Sequence, residues 1–204
     1  MLQIYHVPTT RGTRVIWLCE ELEIPYQVTQ IDFSASYRAS PEWRALHPVG
    51  KVPVMTDGDI TIFESGAMMD YIHSRYGNNR LRPADEDPDY AYYLQWHWFA
   101  EATLARPLGE IVNHGREFPD EKRIPVVVEE MANRAAACLN CVADHMQGRT
   151  YLVGERFSAA DISMGYSLML GEMLIPARFP DGLADYWQQL KARPAYQAAC
   201  RDFL

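Results

Sequence analysis

A Glu64-Ser65 pair stands where a strand-like run, Ile60 to Phe63, gives way to a helical pattern that extends to about Tyr76. At such a junction the serine hydroxyl and the first unpaired amides of the helix meet at one point, and helix N-termini bind carboxylates and other anions. The pair therefore predicts a binding point for a small charged ligand. A simple N-cap at Ser65 is the alternative.

A second cluster of polar residues, Thr9-Thr10-Arg11-Gly12, follows the first predicted strand and opens the first predicted helix. It supplies two hydroxyl donors, a cation and a glycine with a permissive backbone, all near a helix N-terminus that favours negative charge. This composition suits the stabilisation of an anion. Here too, helix capping is the alternative.

Pro53 interrupts the strand-like run Val52 to Met55, although proline cannot donate a hydrogen bond to a sheet. A cis peptide bond after Val52 would explain it, because it would turn the main chain of Val52 outward to pair with an extended ligand. Lys51 precedes this dipeptide and adds a positive charge.

The cysteine and histidine positions predict neither a redox pair nor a metal site. Cys138 and Cys141 form a C-x-x-C, but they lie inside a long helical pattern, whereas a redox pair of this type begins a helix after a strand. We therefore predict that they pack in the core, with Cys138 on the apolar stripe. The six histidines lack the spacing of metal ligands, so no metal site is predicted.

These residues are distributed over two regions of different character. Residues 1–78 read as strand, helix, strand, a loop region, a β-hairpin around Asp57-Gly58-Asp59, and a helix. A breaker-rich stretch begins at Gly77-Asn78-Asn79 and continues through Pro83 to the acidic Asp85-Glu86-Asp87-Pro88, so residues 79–87 are predicted to be a linker. Residues 88–204 carry helical periodicity, so the fold class is α/β followed by all-α.

Composition narrows the function classes. The 204 residues are 48% hydrophobic and carry 27 acidic against 19 basic side chains, a net charge of −8. This chain can bury a core, but it has no bulk positive field to hold a phosphate backbone, so nucleic acid is not expected as a partner. There is no apolar run long enough to cross a membrane and no secretory signal pattern, so we expect a cytoplasmic protein with free thiols.

Four segments together resemble the cytosolic glutathione transferases, in a bacterial-type form with Thr or Ser at the activating position. They are YHVPTTRGTRVIWLCEEL from Tyr5, HPVGKVPVM from His47, FESGAMMDYI from Phe63 and KARPAYQAA from Lys191. The resemblance covers nearly the whole chain. It implies a thioredoxin-like N-terminal domain, an all-helical C-terminal domain and a homodimer.

The same resemblance implies roles for individual residues. Glu64 and Ser65 would hold the γ-glutamyl end of glutathione, Val52 before a cis Pro53 would pair with its cysteinyl part, and Lys51 would reach its glycine carboxylate. The thiol would be activated from the start of the first helix, by Thr9 or Thr10 with the neighbouring cation Arg11. Threonine there departs from the Tyr, Ser or Cys of many members.

A hydrophobic electrophile would bind on the helical domain, where Trp98 and Arg106 are the candidate contacts. The resulting function is a glutathione S-transferase, a detoxification enzyme that transfers alkyl or aryl groups to the thiolate, with glutathione as co-substrate. Two alternatives remain open: a glutathione-dependent disulfide reductase or peroxidase, and a non-catalytic interaction module with the same fold.

Overall fold

The computed structural model describes residues 1–201, except for the side chain of Arg116. These residues form two compact units. The first contains Met1–Arg80 and the described residues from Ala192 onward, and the second contains Leu81–Lys191.

The first unit is a four-stranded sheet with helices. Its elements up to residue 80 are β1 (Leu2–His6), α1 (Gly12–Leu22), β2 (Tyr26–Gln30), α2 (Ala35–Ala39), α3 (Pro41–Leu46), β3 (Val54–Asp57), β4 (Ile60–Phe63) and α4 (Ser65–Tyr76). The strand order is β2-β1-β3-β4. β1 and β2 are parallel, while β3 is antiparallel to both β1 and β4. The predicted thioredoxin-like arrangement is confirmed.

Two short helices, α2 and α3, occupy the region between β2 and β3, which the sequence pattern predicts to be a loop. α2 and α3 are each capped by a serine: Ser34 Oγ accepts a hydrogen bond from Tyr37 N–H, and Ser40 Oγ accepts one from Trp43 N–H, both at 3.2 Å. Each helix has only one or two turns. In α2 and α3 together, only Trp43 is buried. Helices with so little apolar surface leave no periodic signal in the sequence.

All regular secondary structure in the described part of the second unit is helical. Its α-helices are α5 (Tyr90–Trp98), α6 (Ala105–Val112), α7 (Pro125–Met146), α8 (Ala159–Leu174) and α9 (Ala184–Lys191). Two π-helical segments, Phe99–Leu104 and Asn113–Glu117, flank α6. At the start of α8, the buried Asp161 carboxylate accepts hydrogen bonds from the N–H and the hydroxyl of Ser158, at 2.9 and 3.0 Å. A capping box therefore fixes where α8 begins.

The last helix, α10 (Pro194–Ala199), packs on α1 of the first unit. The guanidinium of Arg193 donates two hydrogen bonds to the Glu21 carboxylate, at 2.6 and 2.8 Å. The rings of Trp17 and Tyr196 meet edge to face with centroids 4.8 Å apart. The sequence pattern assigned this segment to the helical domain, whereas its contacts group it with the sheet.

The prediction that the C-x-x-C packs in the core is wrong. Cys138 is half-buried and Cys141 is exposed. The buried residues of α7 are instead Ala132, Ala135, Leu139, Val142 and Met146. The buried position is Leu139 rather than Cys138, and one residue corresponds to a rotation of about 100° around a helix.

In the described part of the chain, none of the helices combines the length and the apolar composition that crossing a membrane requires.

Candidate functional site

The sheet register brings the predicted site segments to one end of the first unit. Tyr5 of β1 pairs with Val54 of β3, and Val54 pairs with Phe63 of β4. Because β3 is antiparallel to both neighbours, its start lies beside the ends of β1 and β4. The loop after β1, the residues before β3 and the start of α4 therefore meet there.

Close packing at Gly12 shows how tightly two of these segments approach each other. A Cβ added to Gly12 would lie 3.2 Å from Pro53 Cβ and 2.3 Å from His6 Nδ1. Only glycine fits at the first position of α1. The Val52–Pro53 peptide bond is cis, as the misplaced proline predicted, and β3 begins at the residue after it.

The loop between β1 and α1 holds Thr9 in a left-handed conformation, with φ at 65°. For a β-branched residue this is an outlier that costs about 1–3 kcal/mol, and such strain concentrates at functional sites. Thr10 is engaged locally: its Oγ1 donates to Val7 O at 2.6 Å and lies 3.5 Å from Nδ1 of the buried His6. Arg11 follows at the N-cap of α1 and makes no side-chain capping bond.

The junction between β4 and α4 holds a second residue with positive φ. Glu64 is exposed, has φ at 73°, and occupies the N-cap position of α4 without making a side-chain capping bond. Its carbonyl accepts the N–H of Met68 at 2.9 Å. Ser65 is the first residue of α4 and only 3% exposed. The helix N-terminus is therefore not closed by the Glu64 side chain, and it can accept an external anion or carboxylate.

Lys51 and Val52 form the loop that leads into β3. Lys51 is exposed, and Val52 is half-buried against the cluster of Ile31, Trp43 and Val54. The Val52 side chain thus anchors the loop to the core, while the Lys51 ammonium is open to solvent.

His47 also belongs to this end of the sheet, and the sequence reasoning missed it. Its ring is 3% exposed and packs on Phe63, with centroids 4.8 Å apart. Burial lowers the pKa of His47, the positive charges of Arg44 and Lys51 act in the same direction, and the negative charge of Glu64 opposes them. The search for metal-ligand spacing could not find this residue, because the contact that defines it is with Phe63, sixteen positions later in the sequence.

The two candidate electrophile contacts lie in the second unit, on separate helical segments. Trp98 ends α5 and is 49% exposed, and Arg106 is an exposed residue of α6. The π-helical segment Phe99–Leu104 lies between them, and the chain is helical without a break from Tyr90 to Glu117, so both residues lie on one continuous helical run. Their contact with a substrate stays a prediction.

Within residues 1–201 no group of three His, Cys, Asp or Glu side chains is arranged to hold a metal ion.

Comparisons with known proteins agree with this geometry. Residues 1–74 match the family model described as glutathione S-transferase, N-terminal domain. The chain is 27% identical over 216 residues to glutathione S-transferase 3 of Schizosaccharomyces pombe, which covers 98% of this chain and 86% of that protein. It is 24% identical over 204 residues to the disulfide-bond oxidoreductase YfcG of Escherichia coli, with 96% and 92% covered.

A solved structure matches the fold over nearly the full length. It is the glutathione transferase URE2P8 of Phanerochaete chrysosporium with oxidized glutathione, at a TM-score of 0.87 and 24% identity, covering 98% of this chain and 94% of that one. Residues 1–74 thus match a glutathione S-transferase N-terminal domain, and curated glutathione S-transferases are similar to this chain over nearly all of its length.

Proposed function

We propose that the protein is a glutathione transferase of the bacterial type that binds glutathione at the end of the sheet and directs its thiolate at a hydrophobic electrophile. The observation that carries the proposal is the register Tyr5–Val54–Phe63, which gathers three segments suited to the three parts of a tripeptide. The start of α4 would take the γ-glutamyl end, the main chain of Val52 the cysteinyl part, and Lys51 the glycine carboxylate.

Catalysis requires the thiol to ionise. A thiol with a pKa of about 8.5 is only a few per cent thiolate at pH 7, and lowering the pKa by two units requires about 2.7 kcal/mol. A hydroxyl hydrogen bond to the anion contributes about 1.5–3 kcal/mol and a helix N-terminus about 0.3–1 kcal/mol. Together these two contributions give about 1.8–4 kcal/mol, so a threonine hydroxyl, the helix N-terminus and the Arg11 cation are sufficient in combination.

Thr9 is our proposed donor to the thiolate. The Thr10 hydroxyl already donates to Val7 O at 2.6 Å, so its hydrogen is committed to holding the loop. Thr9 instead carries the backbone strain, with φ at 65°. A strained residue at a site where another hydroxyl fixes the loop is the arrangement expected of a preorganised contact residue.

The test is calorimetric titration of the full chain with glutathione, combined with ultraviolet absorbance of the bound thiolate as pH is varied. For Thr9→Ala we expect the bound thiol pKa to rise by about 1–2 units, since each unit corresponds to 1.36 kcal/mol. Thr9→Ser keeps the hydroxyl and should restore most of the shift.

Thr10→Val is the matched control for this assignment. It removes the hydrogen bond to Val7 and should lower thermal stability, while changing the bound thiol pKa less than Thr9→Ala does. The reverse ranking of the two variants would transfer the donor role to Thr10. Absence of glutathione binding by the unmodified protein would favour the non-catalytic module instead.

A second candidate function is glutathione-dependent reduction of disulfides or peroxides, favoured by the relative named disulfide-bond oxidoreductase. No cysteine lies between Thr9 and Gly12, so the glutathione thiolate itself would attack the disulfide. Turnover of a model disulfide that exceeds turnover of an aryl halide would favour this reaction. The reverse would favour conjugation.

The electrophile site and the homodimer are further parts of the proposal. Trp98 is half-exposed and Arg106 is exposed, a combination that suits an apolar acceptor carrying some negative charge. Separate replacement of the two side chains should raise KM for the electrophile and leave the affinity for glutathione unchanged. Light scattering of the purified chain tests the dimer directly.

A further inference from the structure

Two free thiols lie side by side on α7 of the second unit, outside the segments described above. Cys138 and Cys141 are three residues apart on α7, so their Cβ atoms are neighbours about 5–6 Å apart. The two thiols interact electrostatically: burial is the larger cause that raises the pKa of Cys138, and the nearby Cys141 is the second. Cys141 is exposed and Cys138 is half-buried, so a reagent in solution can reach the pair.

The helix separates the sulfur atoms by a distance that disfavours a disulfide. A disulfide needs Cβ atoms about 3.5–4.5 Å apart, which is shorter than the i, i+3 spacing of a helix. The pair lies well inside α7, which runs from Pro125 to Met146, so the backbone could close the gap only by losing helical hydrogen bonds. A single atom that bonds to both sulfurs would span the gap without that distortion.

The intervening side chains leave the space between the thiols open. Leu139 is buried beneath the helix and Asn140 is exposed, and residues one or two apart on a helix do not face each other. The preceding exposed residue is Ala137, which adds only a methyl group. None of the side chains at positions 137, 139 and 140 therefore has to move for one atom to bridge the two sulfurs.

We propose that Cys138 and Cys141 form a chelating dithiol site for trivalent arsenicals, in which one arsenic atom bridges the two sulfurs. With an arsenoxide, two S–H bonds and the arsenic–oxygen double bond break, two As–S bonds form, and the oxygen leaves as water. The arsenic stays trivalent and neither sulfur is oxidised, so the step needs no other reactant.

The other two thiols do not compete for this reagent. Cys19 and Cys200 are buried in the first unit, where burial raises the pKa of Cys19 to about 12 and that of Cys200 to about 11. Both are single thiols. The second As–S bond at the pair forms within one molecule, and such linkage increases affinity by about 10²–10⁴-fold over one contact.

The test uses phenylarsine oxide and the reduced full chain, followed by intact-mass and peptide-mass measurement. We expect one phenylarsenic group per chain, mapped to the peptide that contains both Cys138 and Cys141. The adduct should survive excess glutathione, a monothiol, and be removed by 2,3-dimercaptopropanol, a dithiol. Cys138→Ser and Cys141→Ser should each weaken retention at least about 100-fold.

A matched control keeps two thiols on α7 and changes only their geometry. Cys141→Ser combined with Asn140→Cys places thiols at 138 and 140, which do not face each other. This variant should behave like the single-thiol variants, and circular dichroism should show the same helix content for all of them. The proposal is overturned if the wild-type adduct is lost to glutathione, if it maps to Cys19 or Cys200, or if the displaced pair retains it equally.

Discussion

Replacing Ser65 with alanine separates ligand binding from folding at the start of α4. Ser65 is 3% exposed and is the first residue of a 12-residue helix whose N-cap residue, Glu64, makes no capping bond. In our proposal its hydroxyl meets a charged group of glutathione. Losing a hydrogen bond to a charged group costs about 1.5–3 kcal/mol, and each 1.4 kcal/mol is tenfold in Kd, so glutathione affinity should fall about 10- to 100-fold.

Calorimetric titration measures this change, and thermal unfolding without ligand measures folding. Alanine has the highest helix propensity and Ser65 is not the N-cap residue, so α4 itself should not be weakened. Ser74→Ala is the control, because Ser74 is an exposed residue in the last turn of the same helix. An unchanged Kd for Ser65→Ala, or an equal loss for Ser74→Ala, would refute the placement of the γ-glutamyl group.

Two further predictions concern stability. Gly12→Ala places a methyl group 2.3 Å from His6 Nδ1, an overpacking that should cost about 1–3 kcal/mol and lower Tm, whereas Gly109→Ala, which meets nothing within 4 Å, should not. The hydrogen bond from the Tyr76 hydroxyl holds the pKa of the Asp57 carboxyl below its usual value. The ionised carboxylate therefore stabilises the folded protein fully above the pKa that Asp57 has in the unfolded chain, about 3.9. This contribution is lost as pH falls through the lower pKa that Asp57 has in the folded protein. In urea unfolding, the difference in the free energy of unfolding between wild type and Asp57→Asn should therefore shrink as pH falls below about 3.9, and a difference that stays constant there would contradict this assignment.

The strands and the two long helices of the first unit were predictable because their signals are local. β3 and β4 flank a glycine turn, α1 carries an apolar stripe, and Pro53 marked a cis bond that the structure contains. The junction at Glu64-Ser65 was also placed correctly, since α4 begins at Ser65.

Contacts between distant parts of the sequence were beyond such reasoning. The ion pair between Arg193 and Glu21 joins residues 172 positions apart, so no local pattern could assign α10 to the first unit. His47 was missed for a related reason, because its value lies in its contact with Phe63 and not in its spacing from other ligands. The predicted burial of Cys138 and Cys141 in α7 was wrong for a different reason, since small residues such as alanine give a weak hydrophobic periodicity.

The return of α10 to α1 makes the second unit an insertion within the first. Two chain crossings, near residues 80 and 192, connect the units, so a proteolytic cut near residue 80 leaves α10 on the fragment that carries the second unit, and the contacts between α10 and α1 join that fragment to Met1–Arg80 without a covalent bond. During synthesis the sheet exists long before its last helix does, because α10 is translated more than a hundred residues after β4. The first unit can therefore be completed only after the C-terminal segment has been translated, when the second unit has already been made.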